Sequence, residues 1–240
     1  MKTKKAWAVI LERELYAYFV SPIAYIVMCL FLLASGMLVF SAFFISGRAE
    51  LRNFFVLLPI VFSFFIPALT MRVFSEEKRS GSYETLLTLP VSIRDIVVGK
   101  YLAVLVSSIA MLVPTILYVV TCCIFGSPDA GPIVGGYLGA ILLAAAFCAI
   151  GIFASAMTKN QIVAFFVAFS MCIVLGFLLN AFAILLPAPL VPFLNFISAA
   201  SHFESIARGV IDTRDVIYFV SVALGFGVMT VYVLDTAKKG

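Results

Sequence analysis

The chain has 240 residues, of which 64% are hydrophobic and 12% are charged, and its formal net charge at pH 7 is +4. Soluble globular proteins carry roughly 25% charged residues, so this composition excludes an ordinary water-soluble fold. The few charges lie in clusters between long uncharged intervals. Because charge is costly in hydrocarbon, such clusters mark the ends of membrane spans.

The uncharged intervals predict the number of spans. A helix of about 20 residues crosses roughly 30 Å of hydrocarbon, and six intervals are long enough, near residues 22–45, 54–71, 101–125, 133–157, 161–186 and 216–235. None alternates with period two, so they are not strands of a barrel. The predicted fold class is an all-α polytopic membrane protein with six transmembrane helices, forming a single domain over residues 1–240.

Residues 1–20 predict an interfacial elbow helix before the first span. Apolar side chains recur there at helical spacing, at Trp7, Ile10, Leu11, Leu15 and Tyr18. The charged residues Lys5, Glu12 and Arg13 lie largely on the other side, an arrangement typical of helices that lie on a membrane surface. Trp7, the only tryptophan, is predicted to anchor this helix among the lipid headgroups. The alternative is an extended cytosolic start of the first span.

The segment 72–100 contains nine of the 28 charged residues. Met71–Arg79 is predicted to extend the second span as a helix, Gly81 to act as a hinge, Tyr83–Leu89 to form a short amphipathic helix, and Pro90 to end it. Two helical pieces around a glycine suit docking on a soluble partner. A solvated connector without a partner is the alternative, although connectors this long are uncommon in compact folds.

Three local patterns concern the membrane helices. Ser92 and Asp95 form a capping-box pattern that starts the helix leading into the third span. Pro59, Pro67 and Pro114 are expected to kink their helices. The fourth span carries a stripe of small residues that lets helices approach closely, at Gly136, Ala140, Ala144, Cys148, Gly151 and Ser155. The stripe suits packing within the chain, and also a dimer or translocation-path surface.

The basic residues predict the orientation in the membrane. Twelve of the 16 Lys and Arg residues fall on one side of the six-span arrangement, and four fall on the other, Arg48, Arg52, Arg208 and Arg214. Basic residues accumulate on the cytoplasmic side, so both termini are predicted to be cytoplasmic. The chain is predicted to be a multi-pass protein of the bacterial inner (cytoplasmic) membrane. The net charge reflects this bias, and no nucleic-acid partner is predicted.

No catalytic, cofactor-binding or metal-binding residue is predicted. The five cysteines and the lone histidine, His202, lack the spacing of a metal site, so the cysteines are interpreted as buried thiols and His202 as a surface or packing residue. The chain has no G-x-x-x-x-G-K-S/T phosphate loop, since Gly99-Lys100 is followed by Tyr101 and Arg94 occupies the place of the first glycine. The chain is therefore not expected to be an enzyme.

The segment FSEEKRSGSYETLLTLPVSIRDIVVGKYLA resembles the signature of ABC-2 type transporter permeases. The matching residues are Glu76, Glu77, Lys78, Gly81, Ser82, Glu84, Leu86, Leu87, Thr88, Pro90, Gly99 and Lys100. The segments ERELYAYFVSPIAYIVMCLF and SHFESIARGVIDTRDVIYF are similar to permeases associated with gliding motility and with copper-site maturation. Order, span count and loop sizes agree over nearly the whole chain.

This resemblance implies an ATP-driven exporter of the ABC-2 (type V) kind, built from two six-span permeases and two ABC ATPase subunits that bind ATP and Mg. The second permease is another copy or a paralogue, and a periplasmic or surface accessory protein is a further possible partner, together with membrane lipids. Residues 72–100 are then the cytosolic coupling loop. The predicted ATPase-coupling residues are Glu76, Glu77, Lys78, Gly81, Tyr83, Glu84, Leu86, Leu87 and Pro90.

The resemblance also assigns a role to residues 187–215 on the outer side. Pro187, Pro189 and Pro192 break any continuous helix after the fifth span, and in the family the corresponding segment forms short re-entrant helices of an external gate. The predicted gate residues are Phe193, Phe196, Phe203 and Glu204. A purely structural plug is the alternative.

Two other functions compete with the permease. A membrane scaffold or assembly factor that recruits cytosolic proteins would also need a docking loop. An ion-coupled secondary transporter is disfavoured, because the six predicted spans contain no Asp, Glu, Lys, Arg or His apart from Asp235 at the last position of the sixth, and such transporters usually bind their driving ion with these groups. The substrate is left open among lipids, lipid-linked polymers and hydrophobic peptides.

Overall fold

The computed structural model describes residues 5–46, 51–84, 91–126, 128–183, 185 and 190–239, and these form helices and their connections, with no strand among them. Six helices are long and apolar enough to cross a membrane, which confirms the predicted number of spans and the all-α fold class. Three predicted coupling residues, Leu86, Leu87 and Pro90, lie outside the described residues, as do Pro187 and Pro189.

The helices follow the chain in a simple order. An N-terminal helix, Ala6–Val20, precedes span 1, Pro22–Ser46. The central spans are span 2, Arg52–Thr70 with the short helix Ser75–Ser80; span 3, Ile93–Leu112, Val113–Thr115 and Ile116–Phe125; and span 4, Ala130–Met157. The last elements are span 5, Gln161–Ile173, Val174–Leu178 and Leu179–Ala183; two outer helices, Val191–Ile197 and Ala199–Ala207; and span 6, Thr213–Lys239.

Short polar side chains begin three of the spans. The Ser92 hydroxyl accepts a hydrogen bond from the backbone N–H of Asp95, and the Asp129 and Asn160 side chains accept from the second residue of the helix that follows each of them. Each bond satisfies a backbone donor that the first helical turn leaves free. The capping predicted at Ser92 is confirmed, and it starts the third helix well before residue 101.

The bundle has two polar ends. One end, the terminal face, holds the N-terminal helix, the bend after span 2 and the start of span 3. The other, the distal face, holds the start of span 4, the two outer helices and the start of span 6. The six spans alternate between these faces, so the N-terminal helix and the end of span 6 lie on the terminal face.

Span 4 forms the centre of the bundle and packs against spans 2, 3, 5 and 6. Its small residues make this possible: a Cβ built on Gly136 would lie 2.5 Å from the Phe55 ring, and one on Gly151 would lie 2.0 Å from Thr70 Oγ1. The whole stripe is buried. Packing within the chain is therefore the interpretation of the stripe that the structure supports.

The predicted kinks differ in outcome. Pro114 lies in a 3-10 turn, Val113–Thr115, that interrupts span 3, whereas Pro59 and Pro67 lie within one continuous helix. The break in span 2 comes after them: the helix ends at Thr70 and resumes at Ser75. The helical extension predicted over Met71–Arg79 is therefore present from Ser75 onward, after a turn at residues 71–74.

The prediction that the spans lack ionisable groups also needs correction. The helices extend beyond the predicted spans, and these extensions include Lys100 at the start of span 3 and Asp215 at the start of span 6, both buried. The error arose because the boundaries were placed where charge begins. Lys100 and Asp215 lie near opposite ends of the bundle, each beside a side chain that pairs with it.

We predict that Gly151→Ala destabilises the protein and that Gly225→Ala does not. The added methyl at position 151 would overlap the buried Thr70 side chain, and overpacking typically costs about 1–3 kcal/mol. No atom lies within 4 Å of a Cβ built on Gly225. Thermal unfolding in detergent should show a lower Tm for the first variant alone, and equal Tm values would contradict the packing described for span 4.

Candidate coupling site

Three elements meet at Lys100 on the terminal face. The Lys100 side chain is only 2% exposed, and its ammonium donates to Glu14 Oε1 at 3.0 Å, to Glu77 Oε1 at 2.8 Å and to the Val73 carbonyl at 3.1 Å. A lysine has three donors, and here all three are used. We call Lys100, Glu14 and Glu77 the Lys100 junction. It ties the N-terminal helix and the end of span 2 to span 3.

The N-terminal helix packs directly against span 3, and this contact brings Glu14 within hydrogen-bonding distance of Lys100. Gly99 allows this contact, because a Cβ at that position would lie 2.8 Å from the Trp7 carbonyl oxygen and 2.9 Å from Ile10 Cβ. At the other end of the helix, the Tyr18 hydroxyl donates to the Leu69 carbonyl of span 2 at 3.0 Å. Burial and the nearby Glu14 carboxylate raise the pKa of Tyr18 well above its usual value, so this hydroxyl stays a donor.

Ser155 of span 4 holds the bend between span 2 and the helix Ser75–Ser80. Its hydroxyl oxygen accepts from the backbone N–H groups of Phe74 and Ser75, at 3.0 and 3.1 Å, and donates to the Met71 carbonyl at 3.0 Å. A helix break inside a protein leaves backbone groups that need partners. One side chain supplies three of these bonds and thereby fixes the direction of the short helix.

A second lysine connects the segment to span 4. The Lys78 ammonium donates to the Ala156 carbonyl and lies 5.5 Å from the centroid of the Tyr83 ring. Gly81 follows with a φ of 76°, a conformation that glycine adopts without strain, and it ends the helix as the predicted break required. Burial is the main cause that raises the pKa of Tyr83, and the Glu77 carboxylate raises it further.

The structure therefore separates the predicted coupling residues into two groups. Glu76, which pairs with Arg72, and Glu84 lie at the surface. Glu77 and Lys78 point into the protein. Glu77 was predicted to be a coupling residue, and in the structure its carboxylate pairs with Lys100 of the same chain. Glu14, Glu77 and Lys100 are far apart along the sequence, so local patterns could not predict that they meet.

A cavity of about 210 Å³ lies between the N-terminal helix and this site. Its walls include Arg13, Glu14, Arg72, Glu77 and Lys100. The second carboxylate oxygen of Glu77 is buried and has no hydrogen-bond partner among the described residues. The contact between the N-terminal helix and the end of span 2 thus includes several charged side chains, whereas the contacts between the spans are mostly apolar.

On the distal face, His202 joins the outer helices to span 6. Its Nδ1 lies 2.6 Å from Asp215 Oδ1 and its Nε2 lies 3.0 Å from the Phe196 carbonyl oxygen. The carbonyl only accepts, so Nε2 carries the hydrogen. The ring also stacks on Tyr218, with centroids 4.2 Å apart. Of the two roles predicted for this residue, surface or packing, packing is the one observed.

The four predicted gate residues do not form one cluster. Phe203 is 1% exposed and packs beside Gly139 of span 4, whereas Phe193 and Phe196 are 64% and 71% exposed. Glu204 pairs with Arg208 on the surface. The outer helices do return into the bundle, because Ser198 Oγ lies 3.5 Å from the Leu175 carbonyl oxygen of span 5. Their role as a gate stays a prediction.

Replacing the buried lysine tests the Lys100 junction. We predict that Lys100→Met is less stable by about 3–5 kcal/mol, since removing one partner of a buried pair leaves the other charges uncompensated. Lys159→Met, which alters an exposed lysine, should have little effect. Chemical unfolding in detergent would measure both.

A combined variant separates the cost of uncompensated charge from the cost of changed packing. Adding Glu14→Gln and Glu77→Gln to Lys100→Met removes the uncompensated carboxylates, so much of the lost stability should return. If the triple variant were as unstable as the sum of the single losses, the three charges would not interact and the junction would be wrong.

Comparison with known families agrees with this architecture. The model of a family described as "ABC-2 family transporter protein" matches residues 32–237, which include the second half of span 1 and all of spans 2–5. No curated protein matches the chain. The match covers most of the chain and includes Lys100, Glu77 and His202, though not Glu14, and the described helices include the six apolar spans of a permease. The chain therefore belongs to the ABC-2 transporter family, as a transmembrane permease.

Proposed function

We propose that this chain is the permease subunit of an exporter in which a separate ABC ATPase docks on the terminal face and drives transport by ATP hydrolysis. Two ATPase copies would bind ATP and Mg, and a second copy of this chain or a paralogue would complete the membrane part. The observation that carries the proposal is the Lys100 junction, because it links the segment where a partner would dock to several membrane helices.

Mechanical coupling requires that a displacement of the docking segment reaches the spans. The helix Ser75–Ser80 is attached to span 3 through Glu77 and Lys100, and to span 4 through Ser155 and Ala156. Charge-assisted hydrogen bonds between buried groups are strong and directional. A partner that moved this segment would therefore move spans 3 and 4 and the N-terminal helix with it.

The surface available to a partner exposes two acidic residues and one basic residue, Arg79, at its described end. Glu76 and Glu84 are exposed there. The sequence places Leu86 and Leu87 immediately after them, and we propose that these leucines fill a groove of the ATPase while the acids meet basic residues around it. Buried apolar anchors dominate interface energies, and charges at the rim contribute less. Gly81 would let the segment adapt its direction on docking.

Sidedness follows from charge. The terminal face carries most of the Lys and Arg residues, so we propose that it faces the cytoplasm of a bacterial cell, with both termini inside and the outer helices on the external side. Residues 187–215 would then form the external gate, with Phe203 as its buried element. Membership of the gliding-motility and copper-site-maturation subgroup belongs to this proposal too.

Copurification tests the docking surface. We predict that Leu86→Asp and Leu87→Asp each reduce the amount of ATPase that copurifies with the permease at least tenfold, because a charge would have to enter an apolar groove. Ser82→Asp is the matched control, since it adds the same charge at an exposed position of the same segment. Undiminished copurification with both leucine variants would exclude the proposed surface.

A further inference from the structure

An apolar groove lies between spans 3, 4 and 6, and none of the three residues of the Lys100 junction lines it. Its volume is about 570 Å³ and its walls are mostly aliphatic and aromatic, with Leu142, Ala149, Phe219 and Val228 among them. Two hydroxyl groups also line it, but both are satisfied: Tyr101 donates to the Ala145 carbonyl and Thr230 to the Phe226 carbonyl. The groove therefore offers an occupant an apolar surface with no unsatisfied hydroxyl.

One charged residue lines this groove, Arg94, and it lies at the terminal face. It is exposed in the first turn of span 3, and no described residue forms an ion pair with it. The neighbouring Asp95 does not line the groove, and its carboxylate accepts a hydrogen bond from the Ser92 hydroxyl at 2.6 Å. The groove thus combines an apolar channel with a guanidinium at its polar end.

The dimensions of the groove restrict the occupant. Along span 6 it extends from Val231, near Arg94, to Phe219, and these residues are about 18 Å apart at 1.5 Å per residue. One leaflet of a bilayer contributes about half of the roughly 30 Å hydrocarbon thickness. The groove therefore matches one extended acyl chain whose headgroup lies at the terminal face.

We propose that this groove binds an anionic phospholipid of the leaflet at the terminal face, with its phosphate at Arg94 and one acyl chain along span 6. A guanidinium pairs well with phosphate oxygens. The bound lipid would also supply packing that span 6 lacks, since only 11% of its most apolar stretch is buried within the chain. This proposal does not depend on the direction of transport.

Gly227 offers a way to fill the groove without disturbing the protein. It lines the groove, and no atom lies within 4 Å of a Cβ built on it. Gly227→Leu would therefore place a side chain in the space of the acyl chain. Gly225→Leu is the matched control, because Gly225 is equally open, lies on the same helix and does not line the groove.

The experiment measures lipid binding to the full chain, delipidated in a neutral detergent, by native mass spectrometry with dioleoyl phosphatidylglycerol and dioleoyl phosphatidylcholine. Wild type and Gly225→Leu should bind phosphatidylglycerol about fivefold more tightly than phosphatidylcholine, which is the effect expected of one basic residue near an anionic headgroup. Arg94→Gln should lose this preference, whereas Arg208→Gln, altered on the distal face, should keep it. Gly227→Leu should lose the tightly bound lipid.

Two results would overturn the proposal. Equal lipid binding by Gly227→Leu and Gly225→Leu would show that the lipid lies elsewhere on the protein. A change of oligomeric state in Gly227→Leu, with lipid binding unchanged, would assign the groove to a second copy of the chain. A thermal-unfolding curve for each variant, recorded without added lipid, would separate loss of the site from loss of the fold.

Discussion

The buried ammonium of Lys100 is the constraint on which the terminal face depends. A lysine that is almost fully removed from water needs partners for its charge and its three donors. Here the partners come from the N-terminal helix and from the end of span 2. Any movement that separated these elements would leave a charge unpaired in a poorly solvated site. The junction therefore favours movement of the three elements as one body.

Span 4 supplies the support for this body through its small residues. Gly151 allows Thr70 to approach, and Ser155, one turn further, holds the bend after span 2. A larger residue at either position would separate spans 2 and 4 and remove the partners of the bend. The same helix packs beside Phe203 at its other end, through Gly139. One helix thus contacts the structures on both faces.

The two faces use the same physical solution with different residues. Each joins a segment outside the spans to the bundle through a buried ionisable pair, Lys100 with its carboxylates on one face and His202 with Asp215 on the other. Between the faces the contacts are mostly apolar and close, with a few hydrogen bonds such as that from Tyr118 to the Leu32 carbonyl. This distribution would suit a permease, because the polar junctions fix segments outside the spans to the bundle at both of its ends.

Periodicity and charge in the sequence predicted the spans, the cap at Ser92 and the break at Gly81, because each depends on neighbouring residues. The Lys100 junction could not be predicted in this way, since its partners are brought together only by the packing of three helices. The inward direction of Glu77 and the packing role of His202 could not be predicted for the same reason, because their partners lie on other helices. Charges at predicted span ends were assumed to face water, but two of them are buried.

The most direct test of the account is whether the terminal face moves as one body during the ATPase cycle. Spin labels on cysteines at the exposed positions of Arg13 and Glu84, in a background without native thiols, would report the distance between the N-terminal helix and the docking segment. We predict that this distance is the same in the nucleotide-free and ATP-trapped complexes, while the distance from Glu84 to Arg208 on the distal face changes. A change in the distance between Arg13 and Glu84, in a protein that keeps Glu14, Glu77 and Lys100, would contradict the movement of the terminal face as one body.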